Sequence, residues 1–588
     1  MNEIKIKRAL VAVYDKTGIA EFARALVDEF GIEIISTGGT AKHLKAAGVP
    51  VTLVEEVTGF PEMLDGRVKT LHPKIHAAIL ADRDNPEHMR QLDEHGIKPI
   101  DMVVVNLYPF EKTVADPNCT FEQAIEMIDI GGPCMLRAAA KNHKHVVVVC
   151  KQEDGEGVLA ALRATGEVTQ SHRLRLMIEV FAQTVAYDQQ IAWHFDSLSR
   201  CASEPEGEVW SQTLRREADL RYGENPHQQG ILLRDEGYGS TEEPGLLELF
   251  DKVPVENRMS YRRRTDTLIQ GEMGFNNYVD GDSALALVKE LTRSMEGQPD
   301  SDLRTPPSIS KGRLRGPHAV AFIKHTNACG CAVGDDPEDT YRRAYLGDPI
   351  AAAGAVLCMN FPVTRDIADM VMNSFGKWGK AAGAAFFKLD VWIAPQFDAE
   401  AVALITTPTE KRKWGAAVRL LQVRPMDMQP DEQTDYKKIV GGYVWQQRDL
   451  IGLNEDQWRV VTKRAPTEAE MADLRFAWLV CKHTKSNAIT ICRERMLLGN
   501  GAGQMSRVKS CDLAIQLARE NGHGDRLKGA VAAGDAFFPV PDGPQKLIDA
   551  GITAIIHPGG SNRDADTVAA CDAAGVAMIV TGTRHFKH

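Results

Sequence analysis

Residues 8–44 of the chain read RALVAVYDKTGIAEFARALVDEFGIEIISTGGTAKHL. Arg8–Val13 and Ile32–Ile35 are apolar, β-branched runs, and the apolar residues between them recur at helical spacing. Strand, helix and strand in this order predict a βαβ unit around a parallel sheet. Two later runs, Val103–Val105 and His145–Cys150, continue the alternation. This part of the chain is therefore predicted to form a parallel α/β domain.

The length of the chain predicts a second domain. Its 588 residues exceed the about 250–300 residues at which a single hydrophobic core stops growing. The segment Cys201–Val209 has the Ser, Glu, Pro and Gly content of a linker, and strand-like runs resume beyond it. We predict α/β domains at residues 1–203 and 210–588, with a Pro/Gly/Ser-rich surface insertion at 294–316.

The composition argues against several classes of protein. Hydrophobic residues make up 44% of the chain and charged residues 25%, as in ordinary globular proteins. No apolar run approaches the ~18–20 residues that cross a bilayer, and a net charge of −11 argues against a nucleic-acid surface. Eleven cysteines without a CxxC pair favour reduced thiols and a cytoplasmic protein. We expect neither a membrane nor a nucleic-acid partner.

A phosphate site is predicted after the second strand. Gly38 and Gly39 allow backbone N–H groups to approach an anion, and the helix that follows adds a partial positive charge. The hydroxyls of Thr37 and Thr40 can add donors. Lys16 follows the first strand, at the same carboxyl edge of the sheet. A tight strand–helix turn with no ligand is the alternative explanation.

Three more polar stretches lie where a core would be expected nearby. Arg67–Pro73 combines cations with a turn, Asp129–Gly132 places a carboxylate before a flexible turn, and Arg137 and Lys141 lie four apart on one helix face. Charges at this spacing are usually a solvated face, but several such groups at loop ends favour convergence on a ligand.

A metal site is not expected. His72 and His76 have the spacing of two ligands on a helix, but Pro73 disfavours a regular helix there and no third ligand is evident. The chain also lacks a P-loop and the HxE…PCxxC signature of zinc deaminases.

The second half contains a second group of chemically useful residues. Arg221–Gln228 places a cation, an aromatic ring, an amide and an imidazole in one irregular stretch. Lys324 and His325 follow an apolar strand and supply an electrostatic donor and a proton acceptor. Gly501–Arg507 leads into a helix, and the tail from Thr581 to His588 is dense in cations directly after a strand. We expect this tail to be held against the domain.

These segments together resemble the bifunctional AICAR formyltransferase/IMP cyclohydrolase family of purine biosynthesis. The resemblance rests on blocks in both halves: DKTG (15–18), GGTAKHL (38–44), TGFPEMLDGRVKTLHPKIHAAIL (58–80), NLYPF (106–110), IDIGG (128–132), RAAAKNH (137–143), LRYGENPHQ (220–228), IKHTNACG (323–330), GDPIAA (347–352), WIAP (392–395), KSNAI (485–489), GAGQMSR (501–507), DAFFP (535–539) and HPGGSNRD (557–564). Coverage is nearly end to end.

The resemblance implies two consecutive reactions. The C-terminal domain would transfer a formyl group from 10-formyltetrahydrofolate, the co-substrate, to the amine of the ribotide AICAR, which gives FAICAR. The N-terminal domain would close FAICAR to IMP with loss of water. The implied folds are a methylglyoxal-synthase-like N-terminal domain and a transferase of paired cytidine-deaminase-like subdomains without zinc. A homodimer with the transferase sites at its interface is also implied.

The resemblance also assigns roles to residues. The implied cyclohydrolase residues are Lys69, Tyr108, Asp129 and Lys141, with substrate held by Lys16, Thr37, Gly38, Gly39, Thr40, Arg67, Thr70 and Asn106. In the transferase, His325 would deprotonate the amine and Lys324 would stabilise the formyl oxygen, with Asn487 beside them. The implied substrate-binding residues there are Arg221, Tyr222, His227, Asn277, Asp390, Arg507, Arg584 and Phe586.

One departure from the family pattern motivates an alternative. Tyr14 stands where the family usually has Ser before DKTG. A formyltransferase with a single activity, whose N-terminal domain is a regulatory nucleotide-binding module, is therefore the first alternative. A metal-dependent nucleoside deaminase is the second, and it would require bound zinc.

Overall fold

The computed structural model describes residues 5–64, 67–116, 118–199, 214–220, 222–235, 273–294, 317–407, 409, 413–423 and 434–588. The chain divides into two compact units, Met1–Thr213 and Leu214–His588. The predicted linker at 201–209, Arg221 and all but the first residue of the predicted insertion lie outside the described residues. The domain limits 203 and 210 stay predictions. Among the described helices, none is long and apolar enough to cross a membrane.

The N-terminal unit alternates strands and helices. Its strands are β1 (Arg8–Val13), β2 (Glu33–Ser36), β3 (Thr52–Leu53), β4 (Met102–Asn106) and β5 (Val147–Val149). Its helices are α1 (Ile19–Phe30), α2 (Gly38–Ala46), α3 (Val54–Thr58), α4 (Pro73–Leu80), α5 (Pro86–Glu94), α6 (Phe110–Val114), α7 (Phe121–Glu126), α8 (Gly131–Lys141), α9 (Gln152–Thr165) and α10 (Gln170–Ser199).

All five strands are parallel, in the order β3-β2-β1-β4-β5. The middle residues of β1, β2, β4 and β5 are apolar and buried because helices cover both faces of the sheet. Chain order reverses between β1 and β4, and ligands of open α/β sheets bind at the carboxyl ends of the strands beside such a reversal. The parallel sheet predicted from residues 8–44 is confirmed.

The C-terminal unit is larger. Its strands are β6 (Leu214–Asp219), β7 (Ile231–Asp235), β8 (His318–Lys324), β9 (Asn327–Gly334), β10 (Ala355–Met359), β11 (Leu389–Ala394), β12 (Arg419–Gln422), β13 (Thr434–Ile439), β14 (Gly442–Gln447), β15 (Arg459–Val460), β16 (Ile489–Arg493), β17 (Met496–Gly501), β18 (Val531–Gly534), β19 (Ala554–His557) and β20 (Ala577–Val580). Its helices are α11 (Phe275–Ser294), α12 (Pro337–Gly347), α13 (Arg365–Met372), α14 (Ala399–Thr406), α15 (Glu468–Lys482), α16 (Arg507–Glu520), α17 (Asp542–Asp549) and α18 (Asp564–Ala574).

This unit contains the same succession of elements twice. A helix, a β-hairpin, and then alternating helices and strands run from α11 to β12 and again from α15 to β20. The central sheet has the order β12-β11-β10-β8-β9-β17-β16-β18-β19-β20-β15, so the two hairpins meet in the middle and each repeat extends outward. Helices α11 and α15 pack on one face, and the remaining helices cover the other face.

Glycines in the inner hairpin strands allow close helix packing. A Cβ atom at Gly330 of β9 would lie 2.1 Å from the Ala344 carbonyl oxygen of α12. A Cβ atom at Gly499 of β17 would lie 2.1 Å from the Ala514 oxygen of α16. Both distances are far shorter than real contacts, so each repeat needs a glycine where its inner hairpin strand packs against the helix that follows.

A buried ion cluster joins α11 to α15. Lys482 Nζ donates to Glu290 Oε1 at 2.8 Å, and His483 Nε2 lies 2.6 Å from Glu290 Oε2. Burial raises the pKa of the Glu290 carboxyl, but the hydrogen bond from His483 and the charge of Lys482 outweigh burial and lower this pKa to about 2. The two repeats are therefore tied together on this face by a charged carboxylate.

Candidate active sites

The N-terminus of α2 forms a cradle for an anion. The first hydrogen bond of this helix runs from Ala41 N to Thr37 O at 3.1 Å. The N–H groups of Gly38, Gly39 and Thr40 precede this bond, so no helical carbonyl accepts from them. Gly38 has a φ of +44°, which a side chain would disfavour. These N–H groups and the helix dipole favour a bound phosphate.

Two lysines flank this cradle. Lys16 Nζ lies 3.9 Å from the position of a Cβ atom on Gly39, and Lys69 Nζ lies 3.1 Å from that position on Gly38. Lys69 Nζ also pairs with Glu62 Oε1 at 2.9 Å. Glu62 was missed by the sequence reasoning, and no periodicity marks it, because its segment is neither helix nor strand. The structure brings Lys16, Lys69, Gly38 and Gly39 together.

The hydroxyl of Thr40 is used by the protein itself. Thr40 Oγ1 donates to Val13 O at 2.8 Å and accepts from Val13 N at 3.1 Å. It therefore fastens α2 to the end of β1, so the group of Thr40 that is left for an anion is its backbone N–H. Thr37 is the N-cap residue, with extended backbone.

Asn106 shapes the turn after β1. Its Oδ1 accepts from Tyr14 N at 2.6 Å and from Asp15 N at 3.2 Å, and its Nδ2 donates to Asp15 O at 2.8 Å. The ring of Tyr14 lies against the ring of Tyr108, with centroids 5.2 Å apart. Lys16 Nζ donates to Tyr14 O at 3.0 Å. The hydrogen bonds at Tyr14 use only its backbone atoms, so they do not depend on the type of side chain at this position. The Tyr14 ring packs beside Tyr108, the predicted catalytic tyrosine.

Tyr108 and Asp129 are neighbours, since the backbone N–H of Tyr108 acts on the Asp129 carboxyl and the Asp129 charge acts on the Tyr108 phenol. Asp129 Oδ1 accepts from Gly132 N at 2.8 Å. Burial raises the pKa of the Asp129 carboxyl, while the N–H groups of Gly132, Tyr108 and Gly131 lower it. Burial and the Asp129 charge raise the pKa of the Tyr108 phenol, and the Lys69 ammonium lowers it. The phenol thus stays a neutral donor beside a lysine and a carboxylate.

Two supporting contacts fix the Asp129 loop. Tyr187 from α10 accepts from Asp129 N at 2.8 Å and donates to Met127 O at 3.0 Å. The hydroxyl of Thr70, which is buried, lies 3.1 Å from the position of a Cβ atom on Gly131. Tyr187 gave no sequence signal, because it lies in the middle of a long helix. Thr70 is placed with the predicted group.

Arg67 and Lys141 do not join this group within the chain. Arg67 forms an exposed ion pair with Glu126. Lys141 ends α8, whose first residue is Gly131, so it lies ~15 Å further along the helix axis at about 1.5 Å per residue. Because α8 leads back to the start of β5, Lys141 is at the amino edge of the sheet. The catalytic role of Lys141 stays a prediction, and its position at the end of α8 does not support it.

In the C-terminal unit, Lys324 and His325 lie at the tip of the β8–β9 hairpin. Lys324 closes the hairpin opposite Asn327, and His325 and Thr326 form the turn with φ angles of +54° and +63°. Lys324 Nζ donates to Ala351 O at 3.3 Å and Ala353 O at 2.9 Å. An ammonium has three N–H groups, so one remains for a substrate oxygen. His325 is exposed.

Three neighbours surround this turn. Asp280 of α11 accepts from Thr326 N through Oδ1 at 2.7 Å. Burial and the Asp390 charge raise the pKa of the Asp280 carboxyl, and the N–H groups and charge of the turn lower it. Asp390, which was predicted, therefore lies near Asp280. Neither Asp280 nor Asn327 is predicted from the sequence as a site residue, although Asn327 lies in IKHTNACG (323–330).

Asn327 links the two repeats. Its Nδ2 donates to His325 O at 2.9 Å, and its Oδ1 accepts from Lys485 N at 2.9 Å. Lys485 begins the stretch that contains Asn487. The tip of the first hairpin and the entry to the second are thus joined through one side chain.

Asn487 is held by residues of the 501–507 loop. Its Nδ2 donates to Gln504 O at 2.9 Å, and its Oδ1 accepts from Arg507 at 2.7 Å. Arg507 is only 7% exposed and forms a buried ion pair with Asp535. The structure therefore places Arg507 beneath Asn487, as its support, and one amide N–H of Asn487 remains for a ligand.

The other predicted ligand-binding residues occupy two places. The ring of Tyr222 lies 4.0 Å from the position of a Cβ atom on Gly274, and Asn277 Oδ1 accepts from Gly274 N at 3.1 Å. Both therefore lie at the start of α11, one helical turn before Asp280. His227 lies exposed in the same compact turn as Tyr222. Arg221, also predicted here, is outside the described residues.

The C-terminal tail is held against the domain, as predicted. Ser486 N donates to Lys587 O at 2.9 Å, and His585 N donates to Asp535 O at 3.1 Å. His585 Nδ1 also lies 2.5 Å from Asp449 Oδ2. The guanidinium of Arg584 lies 4.3 Å from the ring centroid of Phe586, and both side chains are exposed. The tail thus presents them beside the stretch that contains Asn487.

Within the described part of the chain, one carboxylate–histidine group could hold a metal ion. Asp82, Asp84 and His145 bring ligand atoms within 4.8 Å of one another, at the amino edge of the N-terminal sheet and away from the α2 cradle. Asp84 is already paired with Lys144. His72, considered above as a ligand, instead accepts from Lys74 N at 3.1 Å and caps α4.

Comparisons with known proteins match both halves of the chain. The family model described as AICARFT/IMPCHase bienzyme matches residues 139–517, and that of the MGS-like domain matches residues 18–134. The chain is 41% identical over 582 residues to the bifunctional purine biosynthesis protein PurH of Bacillus mycoides (strain KBAB4), an alignment that covers 99% of this chain and 100% of the relative. The protein of that name from Bacillus thuringiensis (strain Al Hakam) is 41% identical over 584 residues, with the same coverage.

Among solved structures, one described as the crystal structure of ForH is 34% identical, with a TM-score of 0.30, and covers 33% of this chain and 100% of its own. The MGS-like match confirms the predicted type of N-terminal fold, whereas the cytidine-deaminase-like character of the C-terminal repeats stays a prediction. The length and identity of the family matches confirm the resemblance deduced from the sequence blocks. The chain belongs to the AICARFT/IMPCHase bienzyme family.

Proposed function

We propose that the chain catalyses the last two steps of IMP synthesis, with formyl transfer to AICAR in the C-terminal unit and ring closure of FAICAR in the N-terminal unit. The observation that carries the proposal is that each unit by itself assembles a set of polar groups suited to one of these reactions. The α2 cradle with its two lysines suits a ribotide phosphate, and the Lys324–His325 hairpin suits transfer to an amine.

Ring closure is mainly a matter of positioning. The carboxamide nitrogen of FAICAR must attack the formyl carbon, and a pocket that holds both removes the entropy cost of bringing them together. Lys69 and the neutral phenol of Tyr108 are donors for the oxygen that becomes negative as the ring forms. Asp129 accepts the carboxamide proton, and its raised pKa suits a base that later returns a proton to the departing water.

Formyl transfer needs an acceptor for the amine proton and a donor for the formyl oxygen. His325 is the acceptor, and the remaining N–H of Lys324 is the donor. As the amine nitrogen bonds to the formyl carbon, the folate nitrogen leaves and takes a proton. Asn487 lies across the hairpin junction and offers one amide N–H to the same substrate.

The co-substrate is 10-formyltetrahydrofolate, and no catalytic metal takes part in either step. We further propose that the working form is a cytoplasmic homodimer whose transferase sites lie at the interface. The exposure of His325, Arg584 and Phe586 supports this arrangement, since a second chain can complete a site whose groups are open on one side.

Two assays with the full-length chain test the proposal. Given FAICAR alone, the chain should form IMP. Given AICAR and 10-formyltetrahydrofolate, it should form IMP through FAICAR. Formyl transfer without ring closure would support the alternative in which the N-terminal unit is a regulatory module. The contact of the Tyr14 ring with the Tyr108 ring does not favour that alternative. Dependence of either activity on a removable metal would contradict the mechanism.

A further inference from the structure

The hairpin turn that carries His325 has a costly backbone. A two-residue hairpin turn with positive φ at both positions is normally built from Asn and Gly. Here the two positions are His325 and Thr326, with φ of +54° and +63°. Positive φ is least tolerated by β-branched residues such as threonine. Such a conformation persists only where the surroundings hold it in place.

Asp280 supplies that support. This residue of α11 accepts from Thr326 N at 2.7 Å. Its carboxyl is half-buried, and the N–H groups of both turn residues and the charge of His325 act on it, since each lowers its pKa. Asn327 adds a second hold by donating to His325 O at 2.9 Å. The turn is thus fixed from the helix side by a carboxylate and from the strand side by an amide.

The second repeat contains the same arrangement without the chemistry. Glu494 and Arg495 form the turn of the β16–β17 hairpin, with φ of +55° and +54°. Asp473 of α15 accepts from Glu494 N at 2.8 Å and from Arg495 N at 2.6 Å. This aspartate therefore has the structural task of Asp280, at a hairpin tip that carries none of the proposed transferase residues.

We propose that Asp280 is a positioning residue for His325, which holds the strained turn so that the imidazole meets the amine of the substrate. The inference rests on the proposed formyl transfer. Asp473 shows that the fold itself needs such an aspartate, so any effect on catalysis must appear at Asp280 alone. Asp280 acts through His325 and takes no proton from the substrate.

The test compares Asp280→Ala, Asp280→Asn and Asp473→Ala in the full-length chain. Misplacement of a reacting group by ~1 Å costs about 10²-fold in rate, so Asp280→Ala should lower kcat for formyl transfer by about that factor. The KM for AICAR should change less than about threefold, because ground-state binding is not the lost interaction. Asp473→Ala should lower the melting temperature about as much as Asp280→Ala does, but it should leave kcat within about twofold of the wild type.

Asp280→Asn keeps an acceptor for the Thr326 N–H and should retain about a tenth of the wild-type kcat, even if Asp280→Ala folds poorly. Asp280→Asn should therefore have a kcat between those of Asp280→Ala and the wild type, at an unchanged KM for AICAR. Equal kcat for the Asp280 and Asp473 variants, or a kcat for Asp280→Asn no higher than that of Asp280→Ala, would overturn the inference. A wild-type chain without formyl transfer would instead overturn the proposed function.

Discussion

Lys69→Ala should separate the two activities. The Lys69 ammonium lies 3.1 Å from the Cβ position of Gly38, at the mouth of the α2 cradle, and its side chain is 28% exposed. Loss of one donor to a developing oxyanion typically lowers kcat by about 10²–10³-fold, or roughly 2.7–4 kcal/mol. We expect that loss in ring closure, with formyl transfer unchanged because no formyl-transfer group lies in this unit.

A second effect of Lys69→Ala follows from Glu62. Without Lys69, the Glu62 carboxylate is unpaired beside the cradle. At ~5 Å and an effective dielectric of ~20, it would repel a phosphate by about 3 kcal/mol. Both side chains are about one-third exposed, so screening should reduce this to roughly 1–2 kcal/mol, or about tenfold in KM for FAICAR. The added change Glu62→Gln should remove the KM effect and leave kcat low.

Stopped assays of IMP formation from FAICAR measure both constants, and formyl transfer is followed separately by the release of tetrahydrofolate. Lys42→Ala is the matched control, since Lys42 is an exposed lysine of α2, the helix whose N-terminus forms the cradle. The reasoning is refuted if Lys69→Ala keeps more than about a third of the ring-closure kcat, or if formyl transfer falls with it.

Three further predictions concern stability. Thr40→Val removes both bonds to the backbone of β1, so it should cost about 1–3 kcal/mol in urea unfolding while ring closure stays within about threefold; an unchanged midpoint would contradict this. Arg507→Met leaves the fully buried Asp535 unpaired and should cost about 3–5 kcal/mol, partly restored by Asp535→Asn. The pKa of Glu290 is lowered from 4.5 to about 2 in the folded chain, so its contribution to stability is present above about pH 4.5 and is lost as the pH falls towards 2. Glu290→Gln should remove up to about 3 kcal/mol of this acid dependence of the unfolding free energy. Denaturant unfolding at several pH values measures it.

The parallel sheet of the N-terminal unit was predictable because its strands are short apolar runs that need no partner to be recognised. β1 was placed at Arg8–Val13 from the sequence and is observed there. β3 is only two residues long and β9 contains Gly, Cys and Asn, so neither has a periodic signal. At the centre of the larger sheet the two hairpins pair with each other through β9 and β17. These two strands are distant in sequence, and composition does not show such a pairing.

The candidate site was predictable where function depends on backbone and charge at strand ends. Gly38, Gly39 and Lys16 converge as their positions after two parallel strands require. Lys141 shows the limit of such reasoning, because a motif does not reveal at which edge of the sheet a helix ends. Asp280 and Glu62 were missed because each acts on a residue from a different segment of chain, and only the fold brings them together.

The central claim is that two independent sites perform consecutive reactions on one ribotide, and mixing two inactivated chains tests it most directly. Lys69→Ala and His325→Ala are assayed singly and together with AICAR and 10-formyltetrahydrofolate, and IMP is measured. We predict that Lys69→Ala alone accumulates FAICAR, that His325→Ala alone forms neither product, and that the mixture forms IMP. A mixture that forms no IMP, although each variant retains its other activity, would contradict the account.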